Sequence, residues 1–161
     1  MKPIILIVED NETEQYVLKQ LIHKFDYDSH VVSSGEQAIT AMGLSSYAAV
    51  IMDITLPGID GFECTRRIRR LELPLGRRTP IIAITARVSQ SDRNDSIGAG
   101  VDDYMTKPFD PEELRKVLLR YVYDPQQPNL KTLSPLPPEE LDDVFEDDSG
   151  QYRALEDRAE A

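Results

Sequence analysis

Cysteine is nearly missing from this chain: the 161 residues hold one, Cys64. No intrachain disulfide can form, and a cysteine-rich metal centre is excluded. Positive charge is also short. Eighteen Lys and Arg stand against 29 Asp and Glu, a net charge of −11, which argues against a nucleic-acid binder held by phosphate contacts. Long apolar runs are lacking. A run such as Ile4 to Val8 falls far short of the roughly 20 residues that a membrane span needs. No charged-then-apolar leader with a small-residue cleavage site follows Met1. The two histidines, His23 and His30, have no partner pattern and read as surface or half-buried residues, not phosphodonors. What is present, 40% hydrophobic and 29% charged residues, is enough for one packed domain. The expectation is a soluble, reduced, cytoplasmic protein.

The charge is uneven. Residues 124–161 hold eleven acidic and three basic side chains, and five of the eleven prolines. Proline, like charge and low hydrophobicity argue against an independent core. The expected organisation is therefore a domain over 1–123 and an acidic, proline-containing tail over 124–161, mostly disordered or in short helices. Pro138-Glu139-Glu140-Leu141 resembles a helix start, and Leu141, Val144 and Phe145 would share one face. That segment reads as a solvated tail, with docking on the domain or on a partner as the alternative.

Within the first 123 residues, short apolar runs alternate with amphipathic stretches. Ile4–Val8, Ala48–Met52 and Ile81–Ile84 are continuous rather than alternating, as strands buried on both faces of a parallel sheet should be. Weaker strands are expected at His30–Val32 and Val101–Met105. Helices are expected after Asn11, with Val17, Leu18, Leu21, Ile22 and Phe25 as its apolar stripe; from Gly35 to Gly43, entered from Ser34; from Gly61 to Leu71; from Ser89 to just before Gly98; and from Asp110 to Tyr121, with Pro111 in its first turn. Five βα units with right-handed crossovers make a doubly wound α/β sandwich, strand order 2-1-3-4-5. Ligands of such sheets bind beyond the carboxyl ends of the strands, at the switch point between the first and third.

Those strand ends carry the informative residues. Glu9 and Asp10 follow the first strand, Asp53 the third, Thr85 the fourth, and Lys107 the fifth. Three carboxylates in one cleft raise each other's pKa unless a cation compensates. Oxygen donors without histidine or cysteine suit a hard ion such as Mg2+. Lys107 can hold a phosphoryl group, or pair with Asp53 in its absence. The Thr85 hydroxyl can donate to a phosphoryl oxygen. An aspartate so surrounded is a reasonable phosphoryl acceptor. Singly each feature has a bland reading, an acidic helix start or an ordinary Lys-Pro loop, but together they point to one site.

The motifs Ile7-Val8-Glu9-Asp10-Asn11, Met52-Asp53-Ile54-Thr55-Leu56-Pro57-Gly58-Ile59-Asp60-Gly61, Ile84-Thr85-Ala86 and Gly98-Ala99-Gly100-Val101-Asp102-Asp103-Tyr104-Met105-Thr106-Lys107-Pro108-Phe109 resemble the receiver domains of two-component response regulators, over about Lys2 to Tyr121. The resemblance implies a flavodoxin-like fold and a phosphorylation-dependent switch with Asp53 as phosphoacceptor. It implies Mg2+ or Mn2+ held by Asp10 directly, Glu9 through water, Asp53, and the carbonyl of Thr55. Thr85 becomes the switch hydroxyl, Lys107 the phosphate contact, and Tyr104 the aromatic switch. Lys107-Pro108 matches the family's cis peptide. The implied partners are a histidine kinase or histidine phosphotransfer protein upstream, and a protein recognising the face built from the fourth helix, fifth strand and fifth helix. A homodimer through that face would draw on Asp102, Asp103 and Arg115.

Residues 124–161 look too acidic and core-poor for a DNA-binding domain, so signalling through protein contacts is expected. The start at Met1-Lys2 favours a stand-alone receiver, with a receiver module of a hybrid histidine kinase as the alternative. A metal-dependent aspartyl phosphatase of the haloacid-dehalogenase kind would need a second acid where Thr55 stands, so turnover of outside substrates is not expected. A flavin-binding protein would need a phosphate-cradling loop in place of Glu9-Asp10. A scaffold with an unused site is disfavoured, since every site residue is present. Arg87 reads as solvated, with a cover over the phosphate as the alternative. Cys64 reads as a packing residue, the Arg66–Arg70 cluster as a solvated helix face, and 73–78 as a surface loop.

Overall fold

The computed structural model describes residues 2–86, 94 and 98–122. The chain divides into two units, Met1–Gln127 and Pro128–Ala161. Apart from Asn94, which is helical, the expected fourth helix lies outside the described residues, as do Arg87 and the tail segments. Five parallel strands, β1 (Ile4–Val8), β2 (Asp28–Val32), β3 (Ala49–Asp53), β4 (Ile81–Thr85) and β5 (Asp103–Thr106), form one sheet in the order β2-β1-β3-β4-β5. The helices are α1 (Glu12–Lys24), α2 (Gly35–Leu44), α3 (Gly61–Glu72) and a C-terminal helix, Pro111–Tyr121. A short 3-10 helix, Leu73–Leu75, closed by Gly76 in the left-handed region (φ 66°), replaces the loop expected there.

Sequence explains these boundaries locally. Each of these four α-helices opens on a side chain that accepts from an otherwise unpaired backbone N–H: Asn11 from Glu14, Ser34 from Gln37, Asp60 from Glu63, and Asp110 from Glu112. Such caps are worth about 1 kcal/mol each. The three central strands have both faces covered. Leu6, Val50, Met52, Ile81 and Ala83 pack with α2 and α3, while Ile5, Ile7, Ile51, Ile82 and Ile84 pack with α1 and the C-terminal helix. Their apolar runs are unbroken because alternate residues enter two different cores.

Two expectations need correction. Val17 does not join the apolar face of α1; it is 46% exposed beside exposed Tyr16, while Leu18 and Ile22 are the buried residues. Arg69 is not a solvated arginine like Arg66, Arg67 and Arg70, which cluster on Glu63. It reaches Glu72 (2.8 Å), Asp102 (2.7 Å) and the carbonyls of Thr79 (2.7 Å) and Gly100 (3.0 Å). Buried Glu72 also accepts from the Thr79 N–H, and Asp102 from the Ile81 N–H and Arg78. The network ties the end of α3 to the starts of β4 and β5. Cys64 is buried, as expected of a packing residue, and burial pushes its thiol up to about 12.

Tight packing extends to the mouth of the sheet. A Cβ on Gly61 would stand 2.5 Å from the Asp53 carbonyl oxygen and 2.7 Å from the Ile54 Cα, both backbone atoms, whereas one on Gly43 in α2 would meet nothing within 4 Å. Gly61→Ala is expected to destabilise the domain by about 1–3 kcal/mol, as overpacking does. Gly43→Ala should stabilise it by about 0.5–1 kcal/mol through helix propensity. Urea denaturation followed by circular dichroism checks both signs.

Candidate functional site

The sheet order places the ends of β1, β3, β4 and β5 side by side. Val8 lies opposite Met52, Asp53 opposite Ile84, and Thr85 opposite Thr106. The chain leaves β3 and β5 under backbone control: the Ile54 N–H donates to Ile84, and the Lys107 N–H to Thr85. The Lys107-Pro108 peptide is cis. Glu9, Asp10 and Asp53 each present a carboxylate oxygen within 4.8 Å of the others. Glu9 and Asp53 are buried, and Asp10 is exposed. Lys107 Nζ lies 3.1 Å from Glu9, 3.7 Å from Asp53 and 2.9 Å from Glu14 on α1. Thr85 is buried at the end of β4, Thr55 is exposed, and half-buried Tyr104 packs on the core beneath α2 and α3.

Local hydrogen bonds fix the carboxylates. The Thr55 N–H donates to Asp53 Oδ1 at 3.0 Å, and the Asn11 N–H to Glu9 Oε2 at 3.1 Å. Gln15 Nε2 holds the Glu9 carbonyl at 2.6 Å and reaches Ser33 Oγ at 3.2 Å. Burial pushes the Glu9 carboxyl up to about 7, the Asp53 charge adding to the rise while the Asn11 N–H and Lys107 oppose it. Burial raises Asp53 as well, against Lys107 and the Thr55 N–H. Burial works against the Lys107 charge, but the hydrogen bond to Glu14 and the charges of Asp53 and Glu9 hold its pKa above the usual lysine value. One ammonium thus offsets only part of the negative charge gathered here. Hard oxygen donors, crowded and incompletely compensated, suit a divalent cation such as Mg2+.

Glu9, Asp10, Asp53 and Lys107 meet in this cleft, and Thr85 stands at the adjoining end of β4. Glu14 and Gln15 were missed. Both lie on a helix expected from its apolar stripe, and no sequence signal singled them out. The groups expected at a dimer contact have partners within the domain: Asp102 with Arg69 and Arg78, Asp103 with Arg120, and Arg115 with Glu112. His30 contacts the Tyr47 hydroxyl, away from the cleft.

A (βα) sheet with acids and a lysine at its switch point defines a class that comparison with known proteins resolves. The model of the response regulator receiver domain matches residues 5–119, and the chain belongs to that family. Hybrid signal transduction histidine kinase I of Dictyostelium discoideum is 36% identical over 119 residues, 71% of this chain and 7% of that protein. Transcriptional regulatory protein TcrA of Mycobacterium tuberculosis is 38% identical over 110 residues, 68% of this chain and 42% of that protein. The chain thus spans less than half the length of these relatives. Among solved structures, the receiver domain of sensor histidine kinase PA1611 from Pseudomonas aeruginosa, with magnesium coordinated in its active-site cleft, is 40% identical with a TM-score of 0.69. That match covers 75% of this chain and 98% of that one. The receiver domain of Saccharomyces cerevisiae Ssk1, crystallised with the histidine phosphotransfer protein Ypd1, is 29% identical with a TM-score of 0.69, covering 76% and 91%. No helix among the described residues is long and apolar enough to cross a membrane.

The raised Glu9 pKa has a pH consequence. A carboxyl that titrates near 7 when folded and near 4.5 when unfolded contributes stability that is full below about 4.5 and lost as the pH rises through 7. In metal-free buffer the Tm of wild type relative to Glu9→Gln should therefore fall between pH 4.5 and 7.5. Adding Mg2+ should raise the wild-type Tm more at pH 7.5 than at pH 5. Thermal melts across this range check both slopes.

Proposed function

We propose that this receiver is a phosphorylation-dependent switch that takes a phosphoryl group onto Asp53 from a phosphohistidine partner. The observation that carries the reading is the approach of Lys107 to Asp53 and Glu9 across three strand ends. A carboxylate oxygen of Asp53 attacks phosphorus as the N–P bond of the phosphohistidine breaks; the bonding electrons stay on that nitrogen, and the ring, already protonated on its other nitrogen, leaves as neutral imidazole. Transfer of this kind depends on positioning and charge neutralisation. The Thr55 N–H orients Asp53, Lys107 balances charge on the phosphoryl oxygens, and the Thr85 hydroxyl donates to one of them. Glu9, Asp10, Asp53 and the Thr55 carbonyl would hold Mg2+ or Mn2+, which supplies further neutralisation of the transferring group. Water later hydrolyses the aspartyl phosphate, and no outside substrate is turned over.

The new charge attracts Thr85 and Lys107, and Tyr104, one strand over from Thr85 and packed on the core, responds to the move. Such a local electrostatic event biases a two-state surface, here the face that includes β5 and the C-terminal helix. A downstream protein reads that face. The composition of residues 124–161, acidic and poor in core-forming side chains, is unlike that of a DNA-binding domain, which supports an output through protein contacts in the cytoplasm. The upstream partner is a histidine kinase or a phosphotransfer protein, consistent with the Ypd1–Ssk1 pairing. A receiver module of a hybrid kinase is the second reading, favoured by the identities to the Dictyostelium hybrid kinase and the PA1611 receiver.

Phosphotransfer from labelled histidine kinases or phosphotransfer proteins tests this directly. Wild type should gain acid-stable, alkali-labile label in the presence of Mg2+ and gain none when a chelator is present throughout. Asp53→Asn should fall to background. Label retained by that variant would remove Asp53 from the acceptor role.

A further inference from the structure

Glu14 belongs to no strand end, yet its carboxylate is the shortest of the three ion-pair contacts of Lys107, 2.9 Å against 3.1 Å to Glu9 and 3.7 Å to Asp53. The lysine is therefore drawn toward α1 and away from the carboxylate it is expected to serve. The position is built rather than incidental. The Glu14 N–H donates to the Asn11 cap, the Asn11 N–H donates to Glu9, and the next residue, Gln15, donates to the Glu9 carbonyl. The first turn of α1 is thus fastened to the cleft wall. The Glu14 side chain is 43% exposed and that of Asp53 6%, so the two acids mark the wet and dry ends of the lysine's reach.

We propose that Glu14 is a positioning residue that holds the Lys107 ammonium at the rim of the resting cleft and competes for it with a phosphoryl group on Asp53. This rests on the function proposed above and adds its regulation. A phosphoryl group brings new negative charge to the dry end, where low dielectric strengthens its pull on an ammonium. Lys107 must leave Glu14 to answer that pull, and the lost pair weakens the hold on the anion. Removing the Glu14 charge removes the competitor. Since the pair is partly exposed, the effect should be about two- to five-fold in affinity.

Binding of beryllofluoride, a phosphoryl mimic, to the full chain at saturating Mg2+ tests the proposal, read from amide chemical shifts in a titration. Glu14→Gln should bind about two- to five-fold more tightly than wild type. Glu14→Asp keeps the charge but falls a methylene short of Lys107, and should tighten in the same direction. Glu12→Gln, a neighbouring first-turn acid, should match wild type. Equal affinity for wild type and Glu14→Gln overturns the proposal, as does Glu14→Asp binding like wild type or Glu12→Gln tightening as much as Glu14→Gln; the last two would assign the effect to net charge alone. Wild type that binds no beryllofluoride would instead sink the phosphoacceptor reading on which this one stands, so the two failures are distinguishable.

Discussion

A single ammonium among several carboxylates is the interaction on which this site depends. Glu9 and Asp53 are buried, and like charges brought together in a poorly solvated cleft repel strongly. Lys107 offsets part of that repulsion from β5, two strands away from β3. Burial, with the rest of that repulsion added to it, raises the carboxyl pKa values of Glu9 and Asp53. Residual negative charge of this kind is costly to the folded domain and is what a divalent cation would relieve. The unfavourable electrostatics and the affinity for an ion are two aspects of one arrangement.

That arrangement requires the sheet. Glu9, Asp53 and Lys107 are distant in sequence, and only the order β2-β1-β3-β4-β5 brings their strand ends together. The register then sets the depth of each group. Asp53 is the last residue of β3 and lies opposite Ile84, which leaves Thr85 one step further out on β4 and opposite Thr106, just before Lys107. Gly61 keeps α3 close to the Asp53 carbonyl, so the loop carrying Thr55 folds tightly against Asp53. Fold and site are thus specified by the same contacts.

The sequence made the strands legible because residues buried on both faces leave unbroken apolar runs, and it made the strand-end acids legible because chemistry in such sheets has a fixed address. The helix starts were readable from Asn11, Ser34 and Pro111. What escaped is what depends on side-chain direction. Val17 fits the apolar stripe of α1 in a periodic count, yet its place on the helix turns it outward. Arg69 stands among arginines that meet solvent and Glu63, and only the three-dimensional path brings it to Glu72 and Asp102. Glu14 looks like any acid favoured at a helix N-terminus; its reach to Lys107 follows from the packing of α1 beside β5's exit.

The two ends of the domain treat buried charge in opposite ways. Beneath the sheet, Glu72 is fully buried, but Arg69 and the Thr79 N–H satisfy it, while Asp102 is shared by Arg69, Arg78 and the Ile81 N–H. Glu72 and Asp102 both have charged partners there, and the network joins α3, β4 and β5 into a frame. Breaking such a pair would leave a buried charge without compensation, which makes the frame resistant to rearrangement. Above the sheet, acids outnumber the cation that reaches them. The proposed switch would draw on both conditions at once. A balanced end would give the strands a fixed reference, and an unbalanced end would let the arrival of one ion or one phosphoryl group change which partner Lys107 prefers.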